Sequence, residues 1–209
     1  ARYNVDGTRD TSFNEYGFNI INAEYFNYGI KLTDNGFLTG GSKGLYKFNS
    51  SGVLDTNFNV VGYTDPVFQN RMIFASITEL PDGKILASGY ISVNSVDSIF
   101  VLKYNANGTL DTTFGDQGKK IISFGIDLNC KNHSILPSGD IVLTGTVRVF
   151  ESVYKNKGFL IKINENGEFD TTFGTDGVSF ISYSDSDKEI THSVFPLNDL
   201  SLLVTGVVM

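Results

Sequence analysis

His133, His192 and Cys130 are the residues of this sequence best suited to metal or nucleophilic chemistry. His133-Ser134 and His192-Ser193 stand 59 residues apart, the same spacing that separates Asp111 from Asp170 in a motif repeated nearby. Equivalent positions at the start of an inner strand are therefore predicted, with both rings facing a central channel. A metal or catalytic role needs further ligands, or a base and an orienting carboxylate. The repeat supplies none, and both histidines read as polar channel residues. Cys130 has no second cysteine to pair with and lies near Leu128 and Ile135, which predicts a buried, inert thiol. Asp185, Asp187 and Glu189 bring together the carboxylates a glycosidase or lyase requires, but a charged run between strands reads more simply as a solvated loop.

Calcium is the other chemistry to weigh. Asn105, Asn107 and Asp111, and again Asn164, Asn166 and Asp170, resemble part of a calcium loop. Glycine comes too early in both, and the terminal bidentate glutamate is missing. Turn chemistry accounts for them: Asn and Gly adopt positive backbone angles, and Asp accepts hydrogen bonds from nearby amides. No phosphate-cradling loop, zinc-spaced cysteine set or nucleophile elbow is present. The sequence thus assigns no catalytic, cofactor-binding or metal-binding residue and implies no cofactor.

The element that positions these residues is a repeat. Asp-Thr-x-Phe followed, after three intervening residues, by Gly occurs four times: Asp10, Phe13 and Gly17; Asp55, Phe58 and Gly62; Asp111, Phe114 and Gly118; Asp170, Phe173 and Gly177. These structural anchors fall 45, 56 and 59 residues apart. Upstream of them run Tyr46-Lys47-Phe48-Asn49, Leu102-Lys103-Tyr104-Asn105 and Ile161-Lys162-Ile163-Asn164, and Ala1-Arg2-Tyr3-Asn4 fits the same frame. A second marker recurs about midway, as Asp34 to Gly41, Pro81 to Gly89 and Pro137 to Gly145; the last copy, Leu200 to Gly206, has lost its turn glycine. Each anchor phenylalanine is expected to wedge between successive units, where burying the ring is worth roughly 2–3 kcal/mol.

Between the markers lie short runs of Ile, Val, Leu, Phe and Tyr bounded by Gly, Asn, Asp and Pro, which read as strands. In the clearest unit they are Met72 to Leu80, Lys84 to Ile91, Ser98 to Asn105 and Lys119 to Phe124. Four antiparallel strands per unit of this length is the plan of a propeller blade. The fold class expected is all-β, a β-propeller of four-stranded antiparallel blades with about four blade equivalents. The units run 1–22 (partial), 23–66, 67–125, 126–185 and 186–209 (partial). The first supplies a third strand and then a fourth near Phe18 to Asn22. The last supplies two strands near Ile190 to Leu197 and Ser201 to Val208. Either the two ends complete one shared blade, or the units belong to a larger ring; the uncapped start favours the larger ring.

The string Asn-Gly-x-Leu-Asp-Thr-Thr-Phe-Gly at Asn107 to Gly115, with a similar Asn166 to Gly174, resembles the signature of the delta-60 repeat, a bacterial β-propeller repeat. The copies at Asp10 and Asp55 depart from it, with Asn14 and Asn59 where the others have Gly115 and Gly174. The resemblance implies a secreted or surface-exposed bacterial protein with repeated blades. It brings no agreed activity and no catalytic residues.

Composition agrees with such a fold and narrows the partners. The 209 residues are 41% hydrophobic and 19% charged, enough for a sizeable core. No apolar run approaches the roughly 18 residues of a membrane helix, so no membrane insertion is expected. A net charge of −7 with scattered Lys and Arg argues against nucleic acid, which requires a basic face. The leading functional class is a noncatalytic structural or protein-interaction module, an adhesin component or scaffold, whose loops Val149 to Lys157 and Tyr183 to Lys188 supply specificity. A lectin-like propeller binding a surface glycan and an extracellular glycosidase or lyase are the alternatives. Glycan acceptor patterns occur at Asn49, Asn107 and Asn132, and Asp-Thr-Thr at Asp111 and Asp170 resembles a bacterial O-glycan acceptor.

Overall fold

A computed structural model describes residues 1–21, 25–64, 67–93, 96–181 and 188–208. All regular elements among them are strands, arranged in four antiparallel meanders. The first sheet is β1 (Tyr28–Lys31), β2 (Phe37–Gly40) and β3 (Leu45–Phe48). The second contains β4 (Ile73–Glu79), β5 (Ile85–Val93), β6 (Val96–Tyr104) and β7 (Lys119–Ile122), and the third β8 (Ile126–Ile135), β9 (Ile141–Glu151), β10 (Val153–Ile163) and β11 (Val178–Ile181). The fourth is the pair β12 (Glu189–Pro196) and β13 (Leu202–Val208). Each sheet is a blade, and the molecule is an all-β propeller assembly of successive blades.

Local chemistry explains the strand borders. The first turn of each blade needs one residue in the left-handed region, filled by Asn35 (φ 64), Gly83 (φ 79), Gly139 (φ 89) and Leu200 (φ 68). The glycine missing from the last repeat has thus not changed the turn; Leu200 bears the strain instead. Likewise Asn14 (φ 47) and Asn59 (φ 48) adopt the same region as Gly115 (φ 52) and Gly174 (φ 57), as asparagine tolerates better than other side chains.

A bulge recurs in the first strand of three blades, between Phe74 and Ser76, Cys130 and Asn132, and Thr191 and Ser193. Opposite it stand Gly89, Gly145 and Gly206. A β-carbon on them would lie 2.0, 2.0 and 2.2 Å from the carbonyl oxygens of Ile73, Asn129 and Ile190. The Ser-Gly or Thr-Gly ending of the second marker therefore reflects a backbone approach that only glycine permits.

The core lies between blades. One cluster, including Leu38, Leu45, Phe58, Phe74 and Phe100, joins the first and second. Another, including Leu86, Val101, Phe114, Leu143 and Phe159, joins the second and third, and a smaller one around Val142, Leu160 and Val194 joins the third to the fourth.

Two expectations about strands need correction. Residues 18–21 form no strand, and Asn22 lies outside the described residues. The third strand it was to pair with is itself reduced to a single bridge between Tyr3 and Arg9, so no template for a ladder exists there. Among the described residues the unit at 23–66 has three strands rather than four. After Gly62 only the bridge Tyr46–Tyr63 forms, because the Thr64 hydroxyl accepts from the Leu45 amide at 3.0 Å and so occupies a donor that a fourth strand would use.

Candidate functional site

The four anchors fold alike. Phe13, Phe58, Phe114 and Phe173 donate their amides to the carbonyls of Asp10, Asp55, Asp111 and Asp170, and Gly17, Gly62, Gly118 and Gly177 donate back to the phenylalanines. The carboxylate of each aspartate closes an Asx turn; in Asp111 it accepts from the Thr113 amide at 3.2 Å and hydroxyl at 2.7 Å. A basic residue takes the remaining oxygen: Arg2 on Asp10 at 2.7 Å, Lys84 on Asp111 at 2.9 Å, Lys162 on Asp170 at 2.8 Å and Lys47 on Asp55 at 3.4 Å. Burial works against the Asp111 charge, but the Thr113 and Lys84 donors outweigh it and hold the acid at about 2. At Asp170, Lys162 and then Thr172 give the same result, about 2. These carboxylates are spent on lysine and turn amides, which leaves no oxygens converging on a calcium ion. Among the described residues no cluster of three or more His, Cys, Asp or Glu side chains is arranged to hold a metal.

Each anchor also builds a joint to the next repeat. The rings of Phe13, Phe58 and Phe114 lie against Gly52, Gly108 and Gly167, where a β-carbon would stand 2.5, 2.9 and 3.1 Å away. The following residue donates across the joint, Asn14 to the Ser51 carbonyl at 2.8 Å, Asn59 to Asn107 at 2.7 Å and Gly115 to Asn166 at 2.8 Å. Phe13, Phe58 and Phe114 are buried, whereas Phe173 is half-buried against the third cluster. Beside the Phe114 joint opens a cleft of about 640 Å³ whose lining includes Asp116, Lys119, Lys120 and Glu168, charges of both signs.

The histidines do not occupy equivalent places. His133 pairs with Leu143, and the residue in that position of the last blade is Val194, opposite Val204. His192 is the exposed bulge residue, the counterpart of Lys131. The 59-residue spacing misleads because loops between these blades differ in length from those between the anchors. Nor does His133 face an open channel. Its Nδ1 lies 2.7 Å from Ser88 Oγ on β5 and its Nε2 2.9 Å from Thr78 Oγ1 on β4, inside the packing between blades. Burial pushes its pKa down to about 4, so the ring is neutral at pH 7. Cys130, with Sγ 3.8 Å from Ser88 Oγ, is buried beside it, and burial pushes its thiol up to about 12. The group unites a serine, a histidine and a cysteine, yet no substrate reaches it.

Of the carboxylate cluster, Asp185 and Asp187 lie outside the described residues, and Glu189 is buried at the start of β12. The segment Tyr183 to Lys188 is likewise outside them save for Lys188.

Val149 to Lys157 is a continuation of strands β9 and β10, not a loop. The ladder runs unbroken from Ile141–Ile163 to Glu151–Val153 and turns at Ser152 (φ 64). Its tip bears Phe150, Val153 and Tyr154, all more than half exposed. The two rings meet edge to face at 5.2 Å, and the Arg148 guanidinium lies 5.3 Å from the Tyr154 centroid while pairing with Asp127 at 2.5 Å. The sequence marked this segment as a loop that supplies specificity; its hairpin form follows from the alternation of Val147, Val149 and Lys155, Lys157 across the register.

No curated protein matches this chain. Residues 80–114, from the first turn of the second blade through its anchor phenylalanine, match the family described as a domain of unknown function (DUF5122) β-propeller.

Proposed function

We propose that this chain is a noncatalytic protein-interaction module of a secreted or cell-surface protein and that the β9–β10 hairpin tip contacts the partner. The observation that carries the reading is the exposed aromatic tip itself. Phe150 and Tyr154 stand on a rigid ladder, braced by Arg148, and aromatic and arginine side chains supply most of the binding energy of protein interfaces. A noncatalytic role is supported by the commitment of the polar residues. The anchor aspartates serve turns and lysines, and His133, Ser88 and Cys130 are sealed between blades. The extracellular setting rests on the resemblance of the Asn107 to Gly115 string to a surface-protein repeat.

Protein and glycan arrays probed with the parent chain and with a Phe150→Ala, Tyr154→Ala variant test this reading. A protein ligand retained by the parent and lost by the variant, at unchanged melting temperature, is the expected result. Saturable glycan binding that survives the variant, or turnover of an oligosaccharide, overturns it.

A further inference from the structure

Successive blades meet at their first turns, and the grooves formed there differ from one pair of blades to the next. Between the first and second blades a clasp spans the groove: the Thr33 amide and hydroxyl both donate to the Glu79 carboxylate, at 2.7 and 2.9 Å. Leu32, beside Thr33, is 5% exposed. Between the second and third blades the equivalent places hold Pro81 and Ile135. Proline has no amide to give and isoleucine no carboxylate to receive one, so no clasp forms. Leu80, the counterpart of Leu32, is accordingly only half-buried.

What remains is an apolar groove of about 430 Å³, a size ordinary for ligand sites. Leu80, Leu86, Ile135 and Ile141 line it, together with Pro81 from the second blade and Pro137 from the third. Each blade also brings a carboxylate to it, Asp82 and Glu165. In the first and third blades a third-strand lysine holds an acid of the first turn, Lys47 on Asp34 at 2.9 Å and Lys162 on Asp140 at 3.0 Å. In the second blade the equivalent Lys103 donates instead to the Glu165 carbonyl at 3.3 Å and lies 5.7 Å from the Phe114 ring centroid. Lys84 goes to Asp111 at 2.9 Å. Asp82 is thus left without a lysine in contact, and one of its oxygens accepts the Lys84 amide at 3.0 Å. Glu165 stands where the preceding repeat has Ala106, so its acid belongs to this groove alone of the two.

We propose that this groove binds an extended peptide segment of a partner protein, one that presents a branched or aromatic apolar side chain next to a lysine or arginine. The apolar side chain fills the space left by the missing clasp, and the adjacent cation meets Asp82 or Glu165. With two prolines at its edge, the groove offers a peptide apolar surface and carboxylates, a complement to basic segments that repels acidic ones. It opens to solvent past Pro81 and Pro137, both exposed, as a segment laid across it requires. The groove lies at the Ile141–Ile163 end of the β9–β10 ladder, and Phe150 and Tyr154 stand near the Glu151–Val153 end. It is a second contact surface, separate from the hairpin tip.

Selection of a random heptapeptide display library on the 209-residue chain tests the proposal. Enriched peptides should share an apolar residue beside Lys or Arg, and a synthetic peptide of that sequence should shift the backbone amide resonances of Leu80, Asp82, Ile135 and Gly139. Asp82→Asn with Glu165→Gln changes two exposed residues and keeps an acceptor for the Lys84 amide. It should leave the melting temperature unchanged and weaken that peptide about fivefold. Pro81→Thr with Ile135→Glu rebuilds the clasp of the first groove and should abolish the shifts, whereas Phe150→Ala with Tyr154→Ala should not alter them. No enrichment, or enriched peptides that lack a basic residue or bind the Asp82→Asn, Glu165→Gln variant equally well, overturns the proposal. So do shifts at these amides that follow protein concentration alone, which make a second copy the occupant, and tighter binding of benzylamine than of any selected peptide, which makes it a small-amine site.

Discussion

Phe58 packs onto Gly108 so closely that a β-carbon on the glycine would stand 2.9 Å from the ring, with φ at 86°. Gly7 shares the backbone angle (φ 83) but faces open space. Gly7→Ala should therefore cost only the left-handed penalty, about 1–2 kcal/mol, and Gly108→Ala roughly 2–4 kcal/mol, since the ring must also move. Urea titrations of both measure the difference. Equal midpoints would mean that the ring yields freely.

The joints also rank the phenylalanines. Phe114 is fully buried, and its truncation to alanine should cost about 3–5 kcal/mol. Phe173, half-buried, should cost less than half as much. Thermal melts of the two variants decide this order.

Acid should destabilise the protein over two pH windows, because different groups titrate in each. His133 is held neutral by burial, with its pKa lowered from 6.5 to about 4. Between these values the unfolded chain binds the extra proton and the folded chain does not, so stability falls as pH drops through that window, by roughly 3 kcal/mol in all. Asp111 and Asp170, lowered from 3.8 to about 2, contribute stability that is lost only at more acid pH. His133→Gln should flatten the melting temperature between pH 6.5 and 4 and leave the lower loss in place. An unchanged slope would assign that window to other groups.

Leu200 occupies a left-handed turn position (φ 68) that glycine fills in two of the other blades. Leu200→Gly relieves about 1–2 kcal/mol of strain and loses part of it to the freer unfolded chain, for a net gain of at most about 1 kcal/mol. Its side chain is exposed, so no packing is forfeited. A lower melting temperature in the variant would contradict this.

Calcium should have no effect on the fold. Lys84 and Lys162 occupy the carboxylates of Asp111 and Asp170 where a cation would have to bind. Melting curves with added calcium and with chelator should superimpose, and a shift between them would reveal a site that displaces the lysines.

Much of this architecture is legible in the sequence because turns and joints are written in local chemistry. Left-handed backbone selects Gly or Asn, an Asx turn selects Asp followed by Thr, Ser or Asn, and a two-residue alternation marks strands. The anchors Asp111, Phe114 and Gly118, and the strand runs of the second blade, were readable for that reason, and so was the burial of Cys130. The register of first strands was not. A bulge inserts one residue, and interblade loops vary, so equal spacing of His133 and His192 conceals that one is a core residue and the other a bulge. Tertiary structure alone decided that Ser88 and Thr78 satisfy the His133 ring and that the segment after Val147 stays a ladder to its tip. The physical reason is the range of the interactions: turn preferences are settled within a few residues, while burial and strand pairing depend on which distant strands come to lie beside them.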